Sequence, residues 1–138
     1  MMRGLQLALL AVCASLLAGC ENSATAYTLE SNQHAVILVR EQPYFWDQDI
    51  KQFIIVSRLP ACQRRVAIHP DAKSLTPIDV FEAGYLMWAL RQGERWYLAS
   101  TDRCLVQDWA NPTGAQPGPA VGQFRAGPDK PVFVPAGG

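Results

Sequence analysis

The stretch that decides the fold is residues 85–100, which read YLMWALRQGERWYLAS. Two apolar runs rich in aromatic residues flank a short polar break, a pattern typical of two strands joined by a tight turn. Gln92-Gly93 fits a two-residue hairpin loop, because glycine supplies the positive φ that such loops need. This register sets Arg91 opposite Glu94, a favourable charge pair. The sequence therefore predicts an antiparallel hairpin in this stretch.

Both faces of the predicted hairpin are apolar. Ala89 lies opposite Trp96 on one face, and Trp88 lies opposite Tyr97 on the other, with Arg95 beside them. One face must cover a core. The other face is either covered as well or exposed as a binding surface, since Trp, Tyr and Arg dominate binding hot spots. Both interpretations stay open at this point.

Further strands are predicted on either side of the hairpin. Runs rich in β-branched residues mark strands at 34–40 and 50–58, and shorter candidates lie at 64–69, 78–82 and 103–107. Together they indicate about five to six antiparallel strands. The predicted fold class is mainly β, as a small antiparallel sandwich, roll or open barrel. The alternative is α+β with one short helix, in 43–53 or 70–82.

A second aromatic cluster, Tyr44-Phe45-Trp46, follows Pro43 in a predicted turn. It either caps the core or forms an exposed loop of the same surface as the hairpin. The candidate partner surface therefore consists of aromatic residues and one arginine from the two clusters: Trp88, Tyr97, Arg95, Tyr44 and Trp46.

The first twenty residues have the order of a secretory signal. Arg3 supplies a positive start, and residues 5–17 form an uncharged apolar run of thirteen. That run is shorter than the ~20 residues a helix needs to span a bilayer, and small residues follow it, as in a signal peptide. The segment ends on Leu17-Ala18-Gly19-Cys20, which resembles the lipobox of bacterial lipoproteins.

The resemblance to lipoproteins implies how the chain is processed. The thiol of Cys20 takes a diacylglyceryl group, and residues 1–19 are then removed as a helical signal peptide. The new amino group of Cys20 is acylated with a fatty acid such as palmitate. Residue 21 is Glu rather than Asp, which favours the outer membrane, facing the periplasm, over retention in the inner membrane. The anchored chain would hold its bilayer stably, because two or more acyl chains suffice for this.

The remaining cysteines predict one disulfide. Cys13 leaves with the signal and Cys20 carries lipid, so Cys62 and Cys104 remain. They lie too far apart for a CxxC redox or zinc motif. The signal directs them to an oxidising compartment, where disulfides persist.

The mature chain divides into three predicted segments. Residues 20–26 are small and polar after the cysteine and form a lipidated tether. Residues 27–110 form the small β domain. Residues 111–138 contain six Pro and six Gly, a composition that predicts a disordered tail, because few apolar side chains are present to offset the entropy of ordering.

The remaining composition narrows the function. Twelve Lys and Arg balance twelve Asp and Glu, which argues against nucleic-acid binding. The sequence carries no dinucleotide, phosphate-loop or serine-hydrolase motif and no metal-ligand spacing, so we expect no cofactor, no metal and no enzyme activity.

The sequence thus predicts a lipid-anchored envelope lipoprotein that acts as a non-enzymatic binding or scaffolding module. Its partners would be the membrane, through Cys20, and an envelope protein. One alternative is an inhibitor of a hydrolase, since the chain resembles small lipid-anchored lysozyme inhibitors in size, anchor and cysteine use. The other alternative is a small periplasmic enzyme, which would need a concave site near His69, Asp47 or Asp49.

Overall fold

A computed structural model of the chain describes residues 22–29 and 33–137. The predicted signal peptide and the lipidation site Cys20 lie outside the described residues. The first sheet is an antiparallel meander in which each strand pairs with the next along the chain. Its four strands are β1 (Asn22–Leu29), β2 (His34–Glu41), β3 (Asp49–Arg58) and β4 (Cys62–Ala72).

The second sheet has six antiparallel strands in the order β10-β9-β5-β6-β7-β8. The strands from β5 to β8 form a meander, and the connection 110–119 carries the chain from β8 back to β9, beside β5. The six strands are β5 (Ile78–Gly84), β6 (Met87–Gln92), β7 (Arg95–Ser100), β8 (Leu105–Trp109), β9 (Ala120–Arg125) and β10 (Val132–Pro135).

The two sheets face each other as a small β-sandwich with one main core between them. Strands of the first sheet contribute alternate apolar residues, such as Val36 and Leu38 of β2. The second sheet contributes residues that include Ile78, Leu90 and Phe124. This alternation of inward and outward side chains is what period-two strands in a two-layer fold require.

The predicted fold class is confirmed: the molecule is all-β, and the sandwich is the architecture it adopts. The described residues contain no helix, so the α+β alternative is wrong for them. The predicted strand count of five to six is too low, because residues 22–29 and 33–137 already form ten strands. Three of the additional strands, β1, β9 and β10, lie wholly or mainly in segments predicted to be tether or tail.

Residues 111–138 are not a disordered tail along their described length. Strands β9 and β10 join the second sheet at β5, and Phe124 is fully buried in the core. The composition was misleading because β9 adds to a sheet that already exists. Its backbone hydrogen bonds are supplied by β5, so a few apolar side chains are enough to stabilise it.

Residues 22–26 of the predicted tether belong to β1, so the domain extends back at least to Asn22 and does not start at residue 27. The strand is short of large apolar residues, but its alternate side chains turn inward, ending in Tyr27 and Leu29, which pack on the core. The Thr25 hydroxyl also donates a hydrogen bond to the Pro131 carbonyl, 3.0 Å away, just before β10. The edge of one sheet is thereby tied to the edge of the other.

The central hairpin forms with a different register. Gly93, with a φ of +61°, and Glu94 make the two-residue loop, so Gln92 pairs with Arg95, and Arg91 faces Trp96 instead of Glu94. The glycine takes the first loop position, where a type II′ turn needs it, rather than the second. Because the pairing shifts by two residues, every side chain keeps its predicted face.

The predicted disulfide between Cys62 and Cys104 is present, with the two Cα atoms 6.1 Å apart. Cys62 begins β4 in the first sheet, and Cys104 immediately precedes β8 in the second. The bond therefore staples one sheet to the other, at the end of the sandwich where β2 begins.

Candidate functional site: an ordered aromatic tip

The loop between β2 and β3, residues 42–48, exposes three consecutive aromatic side chains. Tyr44, Phe45 and Trp46 are 56%, 50% and 60% exposed. We call these three residues the aromatic tip. Single exposed apolar residues are ordinary, whereas a contiguous exposed group marks an interaction surface.

The rings of the aromatic tip pack on one another. Tyr44 and Trp46 are stacked, with ring centroids 4.8 Å apart and planes 10° from parallel. Phe45 meets Trp46 edge to face at 5.0 Å. These are the favoured arrangements of aromatic pairs, and they hold the rings as one outward-facing unit.

Hydrogen bonds within the loop fix its backbone. The buried side-chain amide of Gln42 donates to the carbonyl oxygens of Phe45 and Asp47, at 3.3 and 3.0 Å. The Asp47 carboxylate accepts from the Tyr44 backbone N–H at 3.2 Å, and the Asp47 N–H donates to the Tyr44 carbonyl at 3.1 Å. The loop is therefore ordered around its own polar groups, while its aromatic rings stay outside.

The aromatic tip lies at the end of the first sheet where β1 begins. Asn22, the first residue of β1, pairs with Glu41, the last residue of β2. The loop that carries the tip starts at the next residue, Gln42. We call this end of the sandwich the tip end.

Another exposed aromatic residue, Tyr85, lies at the opposite end. It is 80% exposed in the turn between β5 and β6. The next residue, Leu86, accepts a backbone hydrogen bond from Thr101, and the Thr101 hydroxyl contacts the ring of His34 at 3.0 Å. Since His34 begins β2 and the tip follows the end of β2, the two exposed aromatic sites are separated by the length of that strand.

The predicted partner surface on the hairpin is wrong for Trp88 and Tyr97. Both rings are 4% exposed and belong to the core between the sheets. The Tyr97 hydroxyl accepts a hydrogen bond from the His69 backbone N–H at 3.2 Å. These two residues are on the same face, as predicted, but that face is the one that the first sheet covers.

The outward face of the hairpin is closed as well. Phe81, Ala89 and Trp96 form a small buried cluster there. The guanidinium of Arg91 lies 5.4 Å from the ring centroid of Phe81 and 5.5 Å from that of Trp96, and it pairs with Asp79 at 2.7 Å. Of the two interpretations left open for the hairpin, the covered one is therefore correct.

Arg95 remains exposed and lines a shallow polar cleft of about 390 Å³. The cleft lies between the end of β4 and the β6–β7 turn. His69 is part of its lining, and its Nδ1 lies 2.7 Å from the Pro70 carbonyl oxygen; an oxygen acceptor requires that this nitrogen carry the proton. Both carboxylate oxygens of Asp71, which also lines the cleft, accept hydrogen bonds from Thr76 at 2.7 and 2.9 Å.

A buried polar network lies behind the cleft. The Gln52 and Gln92 side-chain amides bond each other at 2.9 Å, and Gln52 also donates to the His69 carbonyl at 2.8 Å. The guanidinium of Arg40, 1% exposed, donates to the Ala72 carbonyl at 2.7 Å and lies 3.6 Å from Asp71. The network joins β2, β3, β4 and β6 and so rigidifies the tip end.

The sequence pointed to two of the three tip residues, Tyr44 and Trp46, as candidate surface residues, and the structure exposes both. The sequence does not predict that the tip lies beside the start of β1, because this depends on the strand register. In the described ranges, no group of three or more His, Cys, Asp and Glu side chains is placed to hold a metal ion. The same ranges contain no helix with the length and apolarity needed to cross a membrane.

Comparisons with known proteins do not identify the chain: no protein-family model, no curated protein and no solved structure matches it. The aromatic tip is therefore assigned from its geometry alone.

Proposed function

We propose that the protein is a bacterial envelope lipoprotein, anchored through lipid on Cys20 to the outer membrane and facing the periplasm. In this proposal it acts as a non-enzymatic binding or scaffolding module, and the aromatic tip is its contact surface. The lipobox-like end of residues 1–20 supports the anchor. The exposed, ordered tip supports the binding role.

The observation that carries the proposal is the order of the exposed rings. Binding normally costs free energy when side chains and loops are immobilised, about 0.5–1.5 kcal/mol for each flexible side chain. Here Gln42 and Asp47 already fix the loop, and the rings already pack on one another. A contact made by the tip would therefore avoid much of that cost.

The anchor explains how a small contact surface could be sufficient. A lipid-held domain is confined near its membrane, so a second contact at that membrane becomes intramolecular and gains from a high effective concentration. Three aromatic side chains are a small surface for a protein in free solution, but a tethered protein needs much less intrinsic affinity.

The enzyme alternative would use the polar cleft, because that cleft lies beside His69. The cleft holds two carboxylates, Asp71 and Glu94. Both oxygens of Asp71 already accept hydrogen bonds from Thr76, and Glu94 lies on the open β6–β7 turn. The cleft is shallow, and the tip is the larger exposed apolar feature. No feature of the described residues specifically favours the hydrolase-inhibitor alternative. We therefore favour the binding module.

Photocrosslinking in cells tests the binding role. Phe45 is replaced by a photoreactive phenylalanine analogue, a conservative change at a half-exposed ring, and Tyr85 is replaced in the same way as the control. The proposal expects a crosslinked adduct from position 45, with either lipid or protein as the attached partner, and none from position 85. Equal yields from the two positions, or none from position 45, would contradict a contact made by the tip.

Fractionation tests the anchor. The wild-type protein is expected in the outer-membrane fraction, and detergent is expected to be needed to bring it into solution. Cys20→Ser is expected to lose the lipid and, with it, the attachment to the outer membrane. A wild-type protein that leaves the membrane in a mild salt wash would contradict the proposal.

A further inference from the structure

We infer that the aromatic tip docks into the interfacial layer of the same bilayer that holds the lipid on Cys20. This inference rests on the anchor of the proposed function and names the occupant of its contact surface: a lipid surface rather than a protein. The domain is then held to its membrane at two points, the lipid and the tip.

The path of the chain places the two points close together. Cys20 is two residues before Asn22, and two residues span at most about 7 Å. Asn22 is paired with Glu41, and the tip follows three residues after Glu41. Adjacent strands are about 4.8 Å apart, so the lipidated residue and the tip are bound to approach the same membrane surface together.

The position of β1 within the predicted tether limits how far the domain can turn about its anchor. A flexible linker of residues 20–26 would have let the domain rotate freely above the headgroups. With β1 beginning at Asn22, only Cys20 and Glu21 separate the lipid from a paired strand. The tip end is therefore the end of the sandwich that the anchor holds against the bilayer.

The chemistry of the tip suits the membrane interface. Trp and Tyr are enriched at both membrane–water boundaries, where the apolar ring enters the boundary and its polar group stays hydrated. Tyr44 and Trp46 are of this type, and Phe45 adds a wholly apolar ring between them. The three rings project from a hydrogen-bonded loop, so they are available without any rearrangement.

The charge at the tip end is balanced, which defines the kind of membrane contact. The first sheet and its loops bring four acidic and four basic residues to this end: Glu41, Asp47, Asp49, Asp71, Arg40, Lys51, Arg65 and Lys73. Two of them, Glu41 and Arg65, form an ion pair at 2.9 Å. Insertion should therefore depend on the rings and not on anionic lipids, unlike the binding of polybasic segments.

The test uses the mature chain, residues 20–138, attached to vesicles by chemistry rather than by the cell. Cys62 and Cys104 form the disulfide, so the Cys20 thiol is free to couple to a maleimide lipid in phosphatidylcholine vesicles. Lipids brominated in the upper acyl chain then quench the fluorescence of any tryptophan that reaches the interface. Trp88 and Trp96 are buried in the protein, and Trp109 is partly buried against Trp96. Trp46 is the exposed tryptophan, at 60%.

We expect brominated vesicles to quench the coupled wild-type protein and this quenching to be largely lost in Trp46→Phe. The quenching should persist in Tyr85→Ser, which removes the exposed ring at the opposite end. A second variant, Phe45→Ser, keeps the fluorophore and should reduce its quenching by lowering the apolarity of the tip. Both tip residues are at least half exposed, so neither change threatens folding.

Absence of quenching in the wild type, or equal quenching in the wild type and Trp46→Phe, would overturn the inference. A tip that binds a protein instead would give the first of these results. Because coupling is chemical, the outcome does not depend on lipidation in the cell. A protein that lacks lipid in cells but inserts its tip when coupled would defeat the proposed anchor alone, and a lipidated protein without quenching would defeat the tip inference alone.

Discussion

Replacing Phe124 by Ala tests whether the Pro- and Gly-rich segment is part of the sandwich. Phe124 lies in β9, is 0% exposed and belongs to the main core. Its ring meets that of Phe133 from β10 at 5.0 Å, and its backbone pairs with Ile78 of β5. The substitution thus removes the main apolar side chain that β9 contributes to the core.

The expected loss of stability is large. Truncating a buried Phe to Ala costs about 3–5 kcal/mol, since transfer free energy is lost and a cavity remains. The free energy of unfolding of a small domain is about 5–15 kcal/mol in total. For a domain of this size about 1 kcal/mol corresponds to roughly 4 °C in Tm, so we expect Phe124→Ala to melt roughly 12–20 °C below the wild type.

Thermal and urea unfolding followed by circular dichroism measure this effect. The matched control is Arg125→Ala, the next residue of the same strand, which is exposed and should change stability by less than about 0.5 kcal/mol. If Phe124→Ala melts together with the wild type and the control, β9 contributes nothing to the core. The disordered tail that the composition predicts would then be the correct description.

Three further predictions concern stability. Replacing Cys62 and Cys104 by Ser opens a loop closed over a sequence separation of 42 and should cost about 4 kcal/mol in urea unfolding; wild-type stability in the double variant would refute the staple. Gly122→Ala should cost about 1–3 kcal/mol, because its Cβ would lie 2.5 Å from the Phe133 ring; an unchanged Tm would contradict this packing. Burial and, to a lesser extent, the Glu82 carboxylate raise the pKa of Tyr27 above 10, so the unfolded chain loses this proton first and stability should fall as pH rises through 10. Tyr27→Phe should flatten that fall, and an identical alkaline profile in the variant would count against it.

The fold class was predictable from the sequence because strand periodicity is local. The runs at 34–40 and 50–58 carry enough β-branched residues to predict strands, and they correspond to β2 and β3. The hairpin at 85–100 was predictable for the same reason. Its register was not, because Gly93 can serve either loop position, and only the pairing of the whole strands selects one.

The segments at the two ends of the domain were not predictable from local pattern. β9 and β10 contain little apolar surface, and by composition alone Gly122 is a residue that disfavours ordered structure. In the fold it leaves the space that the Phe133 ring occupies. This fit between Gly122 and Phe133 joins residues eleven positions apart in two paired strands, so it is not predictable from local sequence.

The candidate site was predictable only in part. An aromatic cluster after Pro43 is visible in the sequence, as is a second cluster that includes Trp88 and Tyr97. The sequence treats the two clusters alike, but the first sheet covers one of them and leaves the other exposed. Which face of a strand is covered depends on the opposite sheet, a property of the assembled sandwich.

Docking at both the lipid and the tip would give the domain a fixed orientation. The disulfide and the turn that carries Tyr85 lie at the opposite end of the sandwich, so that end would point into the periplasm. The outward faces of both sheets would then be roughly perpendicular to the membrane surface. They would be accessible to a partner in a scaffolding role.

The central claim is that lipid on Cys20 fastens this domain to a bilayer. Mass spectrometry of the N-terminal peptide, taken from protein extracted out of bacterial membranes, tests it most directly. We predict a peptide that begins at Cys20 and carries a diacylglyceryl group and an N-linked acyl chain. A peptide that retains residues 1–19, or an unmodified cysteine at its start, would contradict the claim.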